Sequence, residues 1–153
     1  MLFRSLEKTE AASTEDKVFR LRGLKWADAE PKLIEAAASL LKKEQNRDGG
    51  WGQMPGFNSD AYATGEILVA LRECGGVAAS DDTFRRGIRY LLESQERDGT
   101  WLVHKRAVPF NAYFETGFPH GKFQISSFAG TSWATMALML AEPAPARDRK
   151  SVV

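Results

Sequence analysis

A short stretch in the second half of the chain carries the side chains best suited to chemistry. They are aromatic or titratable and follow one another closely: Tyr113, Phe114, Glu115, Phe118 and His120. Ring faces can contact an apolar ligand, and a carboxylate near an imidazole can act as an acid/base pair. A simpler interpretation is that the rings plug the end of a helical stack and that His120 hydrogen-bonds within a turn. The sequence is compatible with both interpretations.

A seven-residue segment that occurs twice defines the elements around this stretch. Segment 45–51 (Gln-Asn-Arg-Asp-Gly-Gly-Trp) returns as segment 95–101 (Gln-Glu-Arg-Asp-Gly-Thr-Trp), fifty positions later. The glutamine amide can serve backbone groups at helix ends while the tryptophan shields it from water, and a residue repeated once per helix pair favours such a structural role. The residues predicted to form this motif are Gln45, Gly49, Trp51, Gln95, Gly99 and Trp101.

Helical periodicity precedes each copy of the motif. Apolar residues follow the i, i+3, i+4, i+7 pattern from Ile34 to Leu41 and again from Phe84 to Leu91. Pro31 suits the first turn of one helix, and the Ser-Asp-Asp run at 80–82 predicts the N-cap of the other. We expect both helices to end at the Asp-Gly pair of the motif, because glycine tolerates the left-handed conformation that ends helices.

Apolar helices are also predicted after each copy. They share the starts Tyr62-Ala63-Thr64 and Trp133-Ala134-Thr135, which makes the second copy 21 residues longer through an aromatic-rich insert. A further helix capped near Ser13 precedes the first copy. The predicted fold is all-α, a partial (α/α) toroid of helical hairpins, with repeats near residues 31–76 and 80–142 and a long aromatic-rich loop insert.

Charge and hydropathy exclude two classes of function. The chain holds 21 basic and 20 acidic residues, a net charge of +1, so it lacks the basic excess that phosphate backbones require. Its apolar runs are far shorter than the roughly 18 residues of a membrane-spanning helix. We therefore expect no nucleic-acid partner and no transmembrane segment.

Both ends of the chain are predicted to be foreign to the domain. Residues 1–5 and 148–153 match translated sequencing-adapter DNA, which leaves residues 6–147 as a fragment of a longer domain. The alternative is a natural polar tail, since a proline-rich end such as Pro143-Ala144-Pro145 is common in complete domains.

The repeated motif resembles the QW repeat of squalene and oxidosqualene cyclases, and in particular bacterial squalene-cyclase-like, prenyltransferase/squalene-oxidase-repeat proteins. The insert from Tyr113 to Gly121 and the run from Thr131 to Thr135 are similar to the same proteins. The resemblance covers roughly residues 15–140. It implies a C-terminal fragment of a terpenoid cyclase/protein prenyltransferase toroid, with the Gln-Trp helices outside and the Tyr62 and Trp133 helices inside.

The catalytic motifs of these relatives are incomplete here. The Asp-x-Asp-Asp acid of class II cyclases would need an aspartate at Ala79, and the Asp-Asp-x-x-Asp motif ends at Arg85. A helix cap explains Asp81 and Asp82 better. The zinc site of protein prenyltransferases would need an aspartate at Arg72, two positions before Cys74. We therefore assign no catalytic residue and expect no metal ion and no cofactor.

Three functions remain open for the longer protein to which this fragment would belong. The first is binding of an apolar isoprenoid-type small molecule in an aromatic-lined toroid cavity, which in a catalytic protein would serve a cyclase-like isomerase or intramolecular transferase. The second is a non-catalytic binding scaffold, and the third a polysaccharide lyase or hydrolase on an α/α toroid. The remaining toroid repeats are the expected partners, and without them we expect exposed apolar faces around Val69, Met136 and Met139.

Overall fold

The structure, a computed structural model, describes residues 11–104 and 114–141. Within these residues every regular element is a helix and no strand occurs, which confirms the predicted all-α class. A 3₁₀ turn at Gly121–Phe123 leads directly into the last helix. The five α-helices are α1 (Thr14–Trp26), α2 (Pro31–Lys43), α3 (Ala61–Glu73), α4 (Asp82–Glu93) and α5 (Gln124–Ala141).

Local side-chain chemistry explains where the first four helices begin. The Ser13 hydroxyl accepts a hydrogen bond from Asp16 N, and the Asp16 carboxylate accepts one from Ser13 N, a complete capping box. Pro31 occupies the first turn of α2, where its missing N–H costs nothing. The carboxylates of Asp60 and Asp81 accept backbone hydrogen bonds at the starts of α3 and α4. These caps confirm the predicted helix starts.

The helices form two layers. Helices α1, α3 and α5 lie side by side in one layer, while α2 packs on α1 and α4 packs on both α3 and α5. We call the first the inner layer and the second the outer layer. Helix α3 has a neighbour on each side, so its residues from Ala63 to Leu71 are all buried.

The predicted exposure of the inner helices is correct for one helix and wrong for the other. Met136 and Met139 on α5 are exposed, as expected for the last helix of an open stack. Val69 on α3 is buried, because α1 and α5 cover α3 from both sides. Among the described residues no helix is long and apolar enough to cross a bilayer.

The outer helices end earlier than predicted. Helix α2 ends at Lys43 and α4 at Glu93, so the Asp-Gly pair does not terminate either helix. Gly49, with φ of +91°, instead closes a tight turn in which its N–H donates to Asn46 O at 3.0 Å. The glycine is required because the turn, rather than the helix end, needs the left-handed conformation.

Helix α5 begins earlier than predicted, at Gln124 instead of near Trp133. The Thr64 hydroxyl accepts a hydrogen bond from Trp51 N at 2.9 Å, and the Thr131 hydroxyl accepts one from Trp101 N at 3.1 Å. Thr131, and not Thr135, is therefore the counterpart of Thr64, and the insert adds 17 residues instead of 21. Sequence matching was wrong by four residues because a shift of about one helical turn preserves the helix face.

Candidate functional site

The first motif joins one outer helix to the next. Gln45 Nε2 donates hydrogen bonds to Gly49 O in the loop and to Thr83 O in the first turn of α4, each at 2.8 Å. Arg86 of α4 donates to the side-chain oxygen of the same glutamine. The motif therefore connects the end of α2 to the start of α4.

The two tryptophans of the motifs occupy equivalent positions in the core. Trp51 Nε1 donates to Leu41 O at 2.7 Å, and Trp101 Nε1 donates to Leu91 O at 2.8 Å. Both acceptors lie in the last turn of an outer helix, where carbonyl groups lack the next helical donor. The side chains are only 1% and 2% exposed. Each ring thus packs in the core and donates a hydrogen bond to a carbonyl group at a helix end.

The insert is attached to the second motif through His120. Thr100 Oγ1 donates to Asp98 Oδ1 at 2.7 Å and lies 2.8 Å from His120 Nε2. Because the threonine hydroxyl has one proton, the imidazole N–H is the donor in the second contact. The Thr100 hydrogen bonds lower the pKa of Asp98, and His120 has a smaller effect in the same direction.

A buried glutamine holds the other end of the described insert. The Gln124 side chain lies at the first position of α5 and accepts hydrogen bonds from the backbone N–H and the hydroxyl of Thr116. Its Nε2 donates to Phe114 O at 3.1 Å. Gln124 and His120 together fix residues 114–120 against the start of α5.

These attachments shape an apolar hollow of about 580 Å³ between the insert and the first turns of α5. The rings of Phe118 and Phe128 meet edge to face within it, with centroids 5.6 Å apart. Such a surface suits hydrocarbon, because it offers ring faces and aliphatic carbon with few polar groups. The residues that line the hollow are Thr116, Gly117, Phe118, Pro119, Ile125 and Phe128.

Of the predicted site residues that the structure describes, one lines this hollow and the others have different contacts. Phe118 lines it, whereas the His120 ring turns to Thr100 and the Glu115 carboxylate accepts a hydrogen bond from Gly117 N at 2.8 Å. Phe114 is exposed. Tyr113 lies outside the described residues. The imagined acid/base pair of Glu115 and His120 is therefore engaged in contacts within the insert and with the second motif.

A second, more polar hollow of about 360 Å³ lies beside the second motif. Its lining includes Tyr90, His104 and the polar residues at the start of α3. Burial raises the pKa of Tyr90 to about 12. The His104 ring packs edge-on against Phe123, with centroids 4.8 Å apart, which ties this hollow to the insert.

A buried carboxyl in the inner layer has charged residues around it. Glu66, in the middle of α3, is only 1% exposed, and burial raises its pKa to about 7. Glu15 and Asp60 raise this pKa further, while Arg22 of α1 lowers it. The Arg22 guanidinium stacks over the Trp133 ring of α5, 5.3 Å from its centroid. Helices α1 and α3 therefore supply the charges, and α5 supplies the ring over which the guanidinium lies.

Sequence reasoning missed Glu66 and Gln124, although each had a signal. Glu66 is the single charged residue between Ala61 and Leu71 of α3, a pattern that indicates a buried charge. The role of Gln124 could not be predicted, because the sequence placed the start of α5 near Trp133 and therefore placed Gln124 in a loop. Among the described residues no group of three His, Cys, Asp or Glu side chains converges as a metal site.

Comparisons with known proteins agree with this architecture. Residues 13–127 match the family described as the squalene-hopene cyclase C-terminal domain. A lanosterol synthase of Saccharomyces cerevisiae is 29% identical over 109 residues, which cover 71% of this chain and 14% of the yeast protein. A squalene–hopene cyclase of Bradyrhizobium diazoefficiens is 33% identical over 98 residues, covering 57% of this chain and 14% of that enzyme.

A drimenyl diphosphate synthase of Streptantibioticus cattleyicolor is 30% identical over 104 residues, covering 61% of this chain and 19% of that protein. An all-helical chain with inner and outer layers of helices is consistent with the terpenoid-cyclase class of α-toroids. The chain belongs to the squalene-hopene cyclase C-terminal domain family. It spans less than a fifth of the length of these three relatives.

Proposed function

We propose that this chain supplies part of an apolar ligand cavity in a terpenoid-cyclase-like toroid, and that the ligand is an isoprenoid-type hydrocarbon chain. The observation that carries the proposal is the apolar hollow between the insert and α5. The hydrocarbon part of such a ligand offers no hydrogen bonds and is held by burial of carbon surface, which the edge-to-face rings of Phe118 and Phe128 provide.

The attachments of the insert support this proposal. A binding surface loses less free energy to ordering when its loops are already fixed. Gln124 and the His120–Thr100 contact hold the loop from both sides of Phe118 and leave the ring free to line the hollow. Names of relatives such as lanosterol synthase and squalene–hopene cyclase are consistent with an apolar substrate class.

The hollow contains an isoleucine that can report binding directly. We would label the isoleucine δ1-methyl groups with ¹³C and titrate the chain with geranylgeraniol. The Ile125 methyl signal should shift and saturate, while the buried Ile67 signal stays in place. Phe118→Ala and Phe128→Ala should each weaken binding about tenfold, which corresponds to about 1.4 kcal/mol.

Phe19→Ala is the matched control, since this phenylalanine is exposed on α1 and lies outside the hollow. It should leave the affinity unchanged. Saturable binding of an acidic oligosaccharide, such as oligogalacturonate, with no response to geranylgeraniol would overturn the proposal and favour the polysaccharide alternative. Equal loss of affinity in Phe19→Ala and Phe118→Ala would also contradict it.

A further inference from the structure

The charged residues around Glu66 include a cation with an incomplete set of contacts. Arg22 Nη2 lies 3.5 Å from Glu73 Oε2, a long contact with a carboxylate that is half exposed. Arg22 Nε is buried and has no hydrogen-bond partner among the described residues. A buried donor without an acceptor costs free energy. A rearrangement that gives this guanidinium a further acceptor is therefore favourable.

Glu66 is the acid within the inner layer that can become that partner. It lies on α3, as Glu73 does, but is buried where Glu73 is exposed. The positive charge of Arg22 lowers the pKa of this carboxyl, against the larger effect of burial. In a buried environment an ionised carboxylate attracts a guanidinium more strongly than an exposed one does.

The other groups around Glu66 are acidic or uncharged. Helix α1 contributes Glu15 besides Arg22, and α3 itself contributes Asp60 at its cap and Tyr62. The Tyr62 hydroxyl donates to Glu15 Oε1 at 3.2 Å. Helix α5 holds no titratable residue, and α4 supplies none of the charges that act on Glu66. Arg22 is therefore the cation that can respond when Glu66 loses its proton.

We propose that Glu66 and Arg22 form a proton-controlled joint between the three inner helices. With Glu66 protonated, the guanidinium is shared between Glu73 and the Trp133 ring. With Glu66 ionised, Arg22 turns toward Glu66, leaves Glu73 and moves relative to Trp133. The joint thus couples the packing of α1 and α5 on α3 to the proton concentration near neutral pH.

The direction of the effect on stability follows from linkage. The pKa of Glu66 is about 7 in the folded chain and has an ordinary value of 4.5, so folding takes up a proton between these values. The contribution to stability is complete below pH 4.5 and declines as the pH rises toward 7. Glu66→Gln, which keeps the shape and removes the ionisation, should abolish this decline.

Trp133 provides a direct readout of the exchange of partners. We would incorporate 5-fluorotryptophan, assign the Trp133 resonance with Trp133→Phe, and follow the ¹⁹F spectrum across neutral pH. The Trp133 signal should titrate with a midpoint near 7 in the original chain. It should stay constant in Glu66→Gln, and in Glu15→Gln its midpoint should move to lower pH because a neighbouring negative charge is lost.

Glu35→Gln is the matched control, because Glu35 is exposed on α2, away from the joint, and this variant should titrate like the original chain. A Trp133 signal that does not titrate, or one that still titrates in Glu66→Gln, overturns the proposal. If Glu66→Gln does not fold, the pKa of Glu66 can be measured in the original chain by ¹³C labelling of the glutamate carboxyls. A Glu66 carboxyl that ionises near its ordinary value of 4.5 overturns the proposal, and one that ionises near 7 together with the Trp133 signal supports it.

Discussion

The first Gln-Trp motif is covered by the next outer helix, whereas the second lies at the end of the described stack. In both motifs the glutamine donates to the carbonyl of the turn glycine and the tryptophan donates to the preceding helix. Among the described residues, Gln45 alone also reaches a following helix, through Thr83 O. Local geometry is therefore common to the two copies, and the neighbouring helix accounts for the difference.

The aspartates of the two motifs also differ in their hydrogen-bond partners. Asp48 accepts hydrogen bonds from Gly50 N and from the hydroxyl of Ser59, which lies at the entrance to α3. Asp98 accepts both bonds from Thr100 itself. A side chain at Gly50 would collide with Ser59, so the glycine makes room for a distant hydroxyl that the threonine replaces in the second copy. The threonine hydroxyl is then available to hold His120 and the insert.

The largest expected effect comes from the tryptophans. Trp51→Ala and Trp101→Ala should each destabilise the chain by about 3–5 kcal/mol, because each removes a buried ring and a helix-end hydrogen bond. Trp51 should lie at the upper end of this range, since its ring also lies against α4 at Gly87, where an added Cβ would come within 3.0 Å of it. Urea unfolding followed by circular dichroism measures the difference. Trp26, which is 73% exposed, is the control, and a Trp101→Ala loss no greater than that of Trp26→Ala would contradict the shared structural role.

The turn glycines separate backbone conformation from contact with the next helix. Gly49 and Gly99 have φ values of +91° and +84°, so alanine is strained at both positions, by about 1 kcal/mol. A methyl group at Gly49 would also lie 2.7 Å from Arg86 O, whereas at Gly99 the nearest atom is 3.9 Å away. Gly49→Ala should therefore cost about 2–4 kcal/mol and Gly99→Ala about 1 kcal/mol. Equal losses in thermal unfolding would show that α4 does not press on the first motif.

The glutamines should show the smallest effect. Gln45→Ala removes contacts to Gly49, Thr83 and Arg86 and should cost about 1–2 kcal/mol. Gln95→Ala removes one described hydrogen bond, to Gly99 O, at an exposed position and should cost about 0.5 kcal/mol. Chemical denaturation of the two variants in parallel tests the comparison. A larger loss for Gln95→Ala would reverse the assignment of the covered and the terminal motif.

Sequence reasoning succeeded where a structure depends on residues near one another in the chain. The repeat, the helix caps at Ser13, Pro31 and Asp81, and the all-helical class could be predicted because caps and periodicity act over a few residues. Family membership followed from the same motifs. The predicted ends of the outer helices were wrong because a glycine that closes a turn and one that ends a helix look alike in sequence.

For the candidate site, the sequence indicated the aromatic insert but not its arrangement. Phe118 was predicted and lines the hollow, whereas Phe128 and Ile125 enter it because α5 begins at Gln124. A helix that starts about two and a half turns earlier brings new side chains to the insert. No local pattern distinguished that start from the one near Trp133. The role of the hollow in binding stays a prediction.

The amino-acid sequence by itself determined the helices, their order and the repeated loops, because hydrogen bonds between near neighbours and the helical period suffice for these features. Tertiary structure decided which residues at equivalent positions of the two repeats differ in burial and in partners. It buried Val69 but left Met136 exposed, gave Gln45 a second acceptor, and placed Arg22 of α1 over the Trp133 ring of α5. These differences depend on which helix lies alongside, and that neighbour is set by contacts between residues far apart in the chain.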